Sequence, residues 1–379
     1  MAIRFFDMFA GIGGFRSGLE AVGGFECIGH CEIDPYPNKA YNAIFDTRGE
    51  YYCDDARKIN PAEMPDFDLV CAGFPCQSFS VAGKRLGFED TRGTLFFEVA
   101  QLLKAKRPAF FLLENVFGLL SHDGGRTLET IFSALVEVGY HFEWCVHNSR
   151  YFGVPQQRRR LYIVGYLDPR CAGKVFPLFG SGGKALIQML PGPQGSRVYD
   201  SAGVACTQTA GAGGKGGKTG LYFIDLSTVD PRVTDQARCI TAHYAKGPIS
   251  NRRGEHSGVL LIREDTKKGY KAAYPGDTVS LGFPGTLHRG RVGHDIAHTL
   301  DTGAHQGVVM RSGWIRKLMP RECFRLQGFT DEQIDRVLAI TSDAQAYKQA
   351  GNGVTVSVIE AIGRRIREMD EELKSEAIA

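Results

Sequence analysis

Cys76, Glu114 and the run Arg158-Arg159-Arg160 are the residues whose types and surroundings best suit chemistry. A thiol attacks only as its thiolate, and at an ordinary pKa of ~8.5 only a few per cent is ionised at neutrality. Cys76 therefore needs cationic or hydrogen-bonding neighbours, and Arg158 to Arg160 can supply part of that field. The cysteine sits in Ala72-Gly73-Phe74-Pro75-Cys76-Gln77-Ser78-Phe79-Ser80, directly after the apolar run Asp68 to Cys71, at a strand-to-loop junction. A lone cysteine is most often an inert buried side chain, so its position and its company have to distinguish it. Glu114 ends the apolar stretch Phe110-Phe111-Leu112-Leu113 and is followed by Asn115-Val116. Burial raises a carboxyl pKa, so Glu114 could keep a proton near neutrality and donate it to a heterocycle nitrogen; capping the turn after the strand is the plainer alternative.

A second constellation points to a nucleoside cofactor. Phe5-Phe6-Asp7-Met8-Phe9-Ala10-Gly11-Ile12-Gly13-Gly14-Phe15 reads as a strand, a glycine turn and the start of a helix. Such a turn brings backbone amides up to a ligand at the carboxyl edge of a sheet. Its spacing is not G-x-G-x-x-G, which argues against a dinucleotide. Glu32 follows at about the 20-residue interval at which an acid can accept both hydroxyls of a ribose. Asp55, after Tyr51-Tyr52-Cys53-Asp54, would end or follow a third strand.

The elements that must hold these groups follow from pattern. Apolar runs at Arg4 to Phe9, Glu26 to Cys31, Phe67 to Ala72, Ala109 to Leu113 and Leu161 to Val164 read as buried strands of a parallel sheet. Helical periods lie between them at Gly93 to Ala105 and Gly125 to Val138, giving an α/β, doubly wound, Rossmann-like layout. From 181 to 310 the texture changes: this stretch holds 22 of the 47 glycines and 6 of the 10 histidines, with short β-like runs and no long helical period. A second, smaller β-rich domain is expected there. Three segments (Asp200-Ser201-Ala202, Asp235-Gln236-Ala237, Asp295-Ile296-Ala297), each followed by a glycine and an apolar run, suggest turn-plus-strand units, although Gly-rich β sequence also produces such likeness by chance. Near the end, Val358, Ile359, Ile362, Ile366, Met369 and Leu373 define an amphipathic helix expected to pack back on the first domain.

Composition sets the outer bounds. The 379 residues suggest two domains, and no apolar stretch is long enough to span a bilayer. The ten cysteines include no C-x-x-C pair for zinc or redox work, so reduced thiols in an intracellular protein are expected. Residues 181 to 310 carry 15 Lys and Arg against 10 Asp and Glu, while the remainder is slightly acidic. That suits a polyanion-binding lobe as well as an ordinary solvated surface.

In order along the chain, Phe9-Ala10-Gly11-x-Gly13-Gly14, Gly73-Phe74-Pro75-Cys76-Gln77-Ser78-Phe79-Ser80, Glu114-Asn115-Val116, Gln156-x-Arg158-x-Arg160, Arg321-Glu322 and Gly351-Asn352-Gly353-Val354 resemble the DNA (cytosine-5) methyltransferase family, bacterial or phage type. Only 181 to 310 lies outside these motifs, where the family's variable target-recognition region lies. The resemblance implies a catalytic and S-adenosylmethionine-binding domain of 1–177 with 344–379, and a target-recognition domain and hinge of 178–343. It assigns catalysis to Cys76, Glu114, Asn115, Arg158 and Arg160, with Cys76 attacking C6 of a cytosine while Glu114 protonates N3. It places Phe9, Gly11, Gly13, Glu32, Asp55, Asn352 and Val354 around S-adenosylmethionine, with no metal. Gly353 departs from the serine common in the family and puts one hydroxyl contact in doubt. A paired cytosine hides C6 within the stack, so the base must be flipped out of duplex DNA. Arg252, Arg253, Arg289 and Arg291 suit phosphate contacts or guanine readout, and Gln208, Asn251, His288 and Gln306 could reach base edges.

Rival readings are weaker. An RNA cytosine-5 methyltransferase of the same architecture shares the motifs but, as the resemblance has it, carries a smaller second region. A zinc deaminase needs P-C-x-x-C, whereas Pro75-Cys76-Gln77-Ser78-Phe79 lacks the second cysteine. A non-catalytic DNA-binding homologue would not need Cys76, Glu114 and Arg160 together, and an oxidoreductase lacks its glycine spacing. With no regulatory segment ahead of the motifs, a monomeric, cytoplasmic modification enzyme of a bacterium or phage is expected, with or without a cognate restriction endonuclease.

Overall fold

The computed structural model describes residues 2–75, 95–178, 188–190, 198–199, 223–225, 232–234, 260–264, 270–281, 291–294, 296–300, 306–309 and 315–378. The chain divides into two compact units, one formed by Met1–Gly180, Asp301–Gly303 and Met319–Ala379, the other by Ser181–Leu300 and Ala304–Leu318.

Among the described residues the first unit is built on a seven-stranded sheet. Its strands are β1 (Ile3–Met8), β2 (Phe25–Cys31), β3 (Tyr51–Cys53), β4 (Leu69–Ala72), β5 (Phe110–Val116), β6 (His141–Asn148) and β7 (Arg159–Tyr166), in the spatial order β3-β2-β1-β4-β5-β7-β6. The first five run parallel. β7 is antiparallel to β5, and β6 is antiparallel to β7. Leu161 to Val164 thus belongs to a reversed strand, where the sequence suggested a parallel one. β6 was not legible because an edge strand is half exposed and carries no apolar run. Strand order reverses at β1, between β2 and β4, and there the carboxyl ends of β1 and β4 leave a crevice.

Strand periodicity sorts side chains to the two faces. Ile3 and Phe5 of β1, Phe110 and Leu112 of β5 and Tyr162 and Val164 of β7 meet Phe15 and Leu19 of α1 (Gly14–Val22) on one face. Phe6, Met8, Phe111, Leu113, Leu161 and Ile163 meet α3 (Leu95–Lys106) and α4 (Arg126–Glu137) on the other. α2 (Pro35–Ile44) links β2 to β3, capped by the Asp34 carboxylate, which accepts the Tyr36 amide. The chain then returns through α5 (Pro320–Leu326), α6 (Asp331–Leu338), α7 (Asp343–Asn352) and the long α8 (Val356–Ile378). Val358, Ile359, Ile362, Ile366 and Met369 of α8 are buried, each stabilising the packing by roughly 1.5–3 kcal/mol in gross transfer terms. α1 and α8 approach closely because Gly14 and Gly18 have no side chain. A Cβ on Gly14 would stand 2.6 Å from Val354 Cγ2, and one on Gly18 would stand 2.6 Å from Ile359 Cβ.

The expected boundary at 343/344 moves to 318/319. The reason is packing. Gln333 Nε2 of α6 donates to Ser17 Oγ at 3.0 Å, Arg336 Nη1 donates to the Ile44 carbonyl at 2.8 Å, and Gln327 Nε2 donates to the Ala350 carbonyl at 2.7 Å. Polar residues on short helices hid this from a reading based on apolar period.

In the second unit the described residues form an antiparallel four-stranded sheet in the order Val292–Gly293, Thr278–Ser280, Gln306–Val309, Ile315–Lys317. Ala273, Val279, Val292 and Val309 make a small core. Strands at Phe223–Asp225, Leu260–Arg263 and Gln306–Val309 overlap the apolar runs at 220–224, 258–262 and 307–310. Asp200 to Ala202, Asp235 to Ala237 and Asp295, which open the suggested repeats, lie outside the described residues.

Candidate active site

A cleft of about 680 Å³ opens at the reversal point of the sheet, within the range of small-molecule sites. Its floor is the turn after β1. Phe9 and Gly11 both take left-handed backbone angles, with φ of 58° and 57°. Only glycine adopts this without cost, so at Phe9 the turn holds strain of order 1–3 kcal/mol. The turn is braced by two bonds: the Ala10 amide donates to the Cys31 carbonyl at 2.9 Å, and the Gly11 amide donates to Glu32 Oε2 at 2.8 Å. The other carboxylate oxygen of Glu32 accepts the Asp34 amide at 2.8 Å. Each oxygen keeps a second acceptor site, so the carboxylate is fixed in direction and can still receive two hydroxyls. Burial pushes its pKa up, against the pull of the two amides.

Beside Glu32, Ile33 lies in the cleft lining and is 64% exposed, an apolar surface with nothing packed over it among the described residues. The opposite wall comes from α7 and the segment after it: Lys348, Gln349, Gly351, Asn352, Gly353 and Val354. Lys348 Nζ meets Asp34 Oδ2 at 2.8 Å and ties the two walls together. Gln349 is 2% exposed, and both its amide atoms are buried without a hydrogen-bond partner among the described residues. A buried amide left so costs roughly 1–3 kcal/mol.

At the far end, strand alternation places Glu114 on the face of Phe110 and Leu112 and Arg160 on the same face of β7, with Arg158, just before β7, also in the cleft lining. Arg160 Nε lies 3.0 Å from Glu114 Oε1. Glu114 is 9% exposed. Burial pushes its carboxyl above the usual range, and the attraction of Arg160 and Arg158 offsets this only in part. Arg158 is 2% exposed and sends Nη2 to the Gly353 carbonyl at 2.8 Å, while its Nε and Nη1 have no partner among the described residues. Burial, then repulsion from Arg160, lowers it to about 10. Asn115 Nδ2 donates to the Phe74 carbonyl at 2.8 Å, fastening the segment that leads into Cys76 to the end of β5.

Of the nominated residues, Phe9, Gly11, Glu32, Glu114, Asn115, Arg158, Arg160, Asn352 and Val354 line this single cleft. Gly13 and Asp55 do not. Gly13 is needed for packing, since a Cβ there would stand 2.3 Å from the Phe45 ring. The Asp55 carboxylate caps the turn that follows it by accepting the Arg57 amide at 3.0 Å, and it pairs with the Arg57 guanidinium at 2.6 Å. Cys76 lies outside the described residues, as do Gln208, Asn251, Arg252, Arg253, His288 and Arg289. Arg291 donates from Nη2 to the Ser280 carbonyl at 3.2 Å. Gln306 spends its amide on His298 and Thr299, so its side chain is not held ready for a base edge. Ile33, Lys348 and Gln349 were missed. Lys348 and Gln349 stand three and two residues before Gly351, which opens the last motif, and Ile33 follows Glu32. Among the described residues no group of His, Cys, Asp and Glu could hold a metal ion, and no helix is long and apolar enough to cross a membrane.

Sheet order and a cleft at the reversal point, floored by the glycine turn, define a Rossmann-like α/β protein. The sequence profile of the C-5 cytosine-specific DNA methylases matches residues 3–179 and 225–368, and the chain belongs to that family. It is 38% identical to the Type II methyltransferase M.HpaII of Haemophilus parainfluenzae over 96% of this chain and 89% of that one. It is 30% identical to the orphan methyltransferase M.Rho11sI of Bacillus phage rho11s over 96% and 97%. The fold is also that of Schizosaccharomyces pombe Dnmt2 methyltransferase, with a TM-score of 0.54 over 97% of this chain and 99% of that one at 16% identity. The chain is a DNA cytosine-5 methyltransferase.

Proposed function

We propose that the enzyme methylates C5 of a cytosine turned out of duplex DNA, using Cys76 as a covalent nucleophile and the cleft at β1 to hold S-adenosylmethionine. The observation that carries this reading is the meeting, in one cleft, of a fixed ribose-type acceptor, Glu32, with a buried carboxyl, Glu114, flanked by two arginines. The lining fits the cofactor. Glu32 would take the ribose hydroxyls, Ile33 the flat face of the adenine, and Asn352 the polar groups of the amino-acid end. S-adenosylmethionine, when bound, supplies the sulfonium methyl and departs as the thioether.

The chain's own residues make C5 reactive. The Cys76 thiolate adds to C6, forming an S–C bond, while Glu114 gives its proton to N3 and the displaced electron pair builds up at C5. C5 takes the methyl group and then loses its proton to a base. Cys76 leaves, the ring regains its aromaticity, and N3 returns the proton to Glu114. Arg160 keeps Glu114 pointed at the base, and Arg158 ties that end of the cleft to the Gly353 backbone. Unstacking the target costs a few kcal/mol, which the second unit would offset by holding the duplex. We read the enzyme as a monomeric, cytoplasmic modification enzyme of a bacterium or phage that protects DNA from a cognate nuclease.

Methyl-labelled S-adenosylmethionine and duplex DNA, followed by nucleoside analysis, test this reading. Label in 5-methyldeoxycytidine is expected. Label in another nucleoside, or none, would overturn it.

A further inference from the structure

Exposed arginines of the first unit are, among the described residues, almost all neutralised. Arg48, Arg57, Arg126, Arg170, Arg325 and Arg364 each face a carboxylate within 3.1 Å. Arg107 donates to the Val138 carbonyl. Two others break the pattern. Arg159 lies with its guanidinium carbon 3.7 Å from the centre of the Phe117 ring, and Arg150 lies 5.4 Å from that of Tyr151. No carboxylate or carbonyl partner serves either guanidinium among the described residues. The aromatic platforms are exposed as well, Phe117 by 38% and Tyr151 by 49%.

The two pairs stand on adjoining segments at the end of the sheet where β5 stops. Arg159 is registered against Asn148, and the Asn148 side chain caps the short turn Ser149–Tyr151 that carries Arg150. Phe117 follows β5 directly, three residues after Glu114. Alternation turns Arg158 and Arg160 into the cleft and Arg159 to the other face. A guanidinium stacked on a ring has already lost much of its rotamer freedom, yet the contact uses up none of its N–H donors. Their fork matches phosphate oxygens.

Resting on the reading that duplex DNA is the substrate, we propose that Arg150 and Arg159 form a phosphate clamp gripping the DNA backbone beside the flipped base. It is independent of base sequence. The clamp would set the duplex against the edge of β5, where Glu114 is delivered.

The test is duplex affinity against salt for wild type, Arg159→Gln, Arg150→Gln, the double variant and Arg159→Lys, measured by fluorescence anisotropy with a random-sequence duplex. Each phosphate contact contributes a slope of about −0.9 in log K against log salt. Each Gln variant should lose about one such increment and the double variant about two, while Arg159→Lys keeps the wild-type slope. Thermal midpoint and S-adenosylmethionine affinity should stay unchanged in all. Wild-type slopes in every variant would overturn the clamp while leaving the DNA reading intact. Failure of the wild type to bind duplex at all would instead remove the reading on which the clamp rests.

Discussion

Glu114 stands between opposing demands. Burial favours its protonated form, while Arg160 at 3.0 Å favours the carboxylate, and the net displacement is upward from the ordinary range. A carboxyl that gives its proton to N3 must still carry it at working pH, so the upward direction is the one catalysis needs. The sign of the pH dependence follows. Activity should fall as pH rises through the raised Glu114 pKa, because the protonated fraction falls. Glu114→Gln keeps the shape and a hydrogen-bond donor but has no acidic proton, and should turn over about 10²–10⁴-fold more slowly without that descending limb. Single-turnover rates across pH check this. A Gln variant with a wild-type pH profile would show that Glu114 is not the acid. The carboxyl was legible in the sequence because an apolar strand ended on it. Gln349 was not, because its significance lies in an unpaired buried amide rather than in any pattern of neighbours.

At the scale of elements, the cleft depends on how closely α1 and α8 approach, since this fixes the glycine turn against Val354. Gly18→Ala separates two effects. Alanine is the better helix former by about 1 kcal/mol, but its Cβ would meet the Ile359 side chain and, at 2.8 Å, the Val356 carbonyl. Overpacking of this kind costs about 1–3 kcal/mol, and a backbone oxygen cannot rotate away. With the cost therefore in the upper half of that range, about 2–3 kcal/mol, packing should win, with a net loss of about 1–2 kcal/mol in chemical denaturation. A gain would mean that the helices are less tightly opposed. The strands of the parallel run and the final helix were readable because full burial writes a continuous or periodic apolar signal. β6 and α5 to α7 were hidden by half-exposure, shortness and polar docking contacts such as Gln327 to Ala350. The direction of β7 is set by its pairing with β5, which composition does not encode.

At the scale of the whole molecule, residues from both ends of the chain build one site: Phe9 and Glu32 from the first elements, Glu114 and Arg160 from the middle, and Asn352 and Val354 from the end. Motif order along the sequence pointed to this closure, and the β-rich stretch at 181–310 stood out by its glycines. Its target sequence was not legible, since readout depends on which side chains remain unspent. Gln306 is committed to internal carbonyls, a fact carried only by three-dimensional pairing. The central claim remains the covalent step at Cys76, and duplex DNA containing 5-fluorocytosine tests it most directly. Fluorine at C5 cannot leave as a proton does, so after methyl transfer the adduct should persist as a denaturation-resistant, methyl-labelled protein–DNA species. It should be absent for Cys76→Ser. No adduct with the wild type, or an undiminished adduct with Cys76→Ser, would contradict the mechanism.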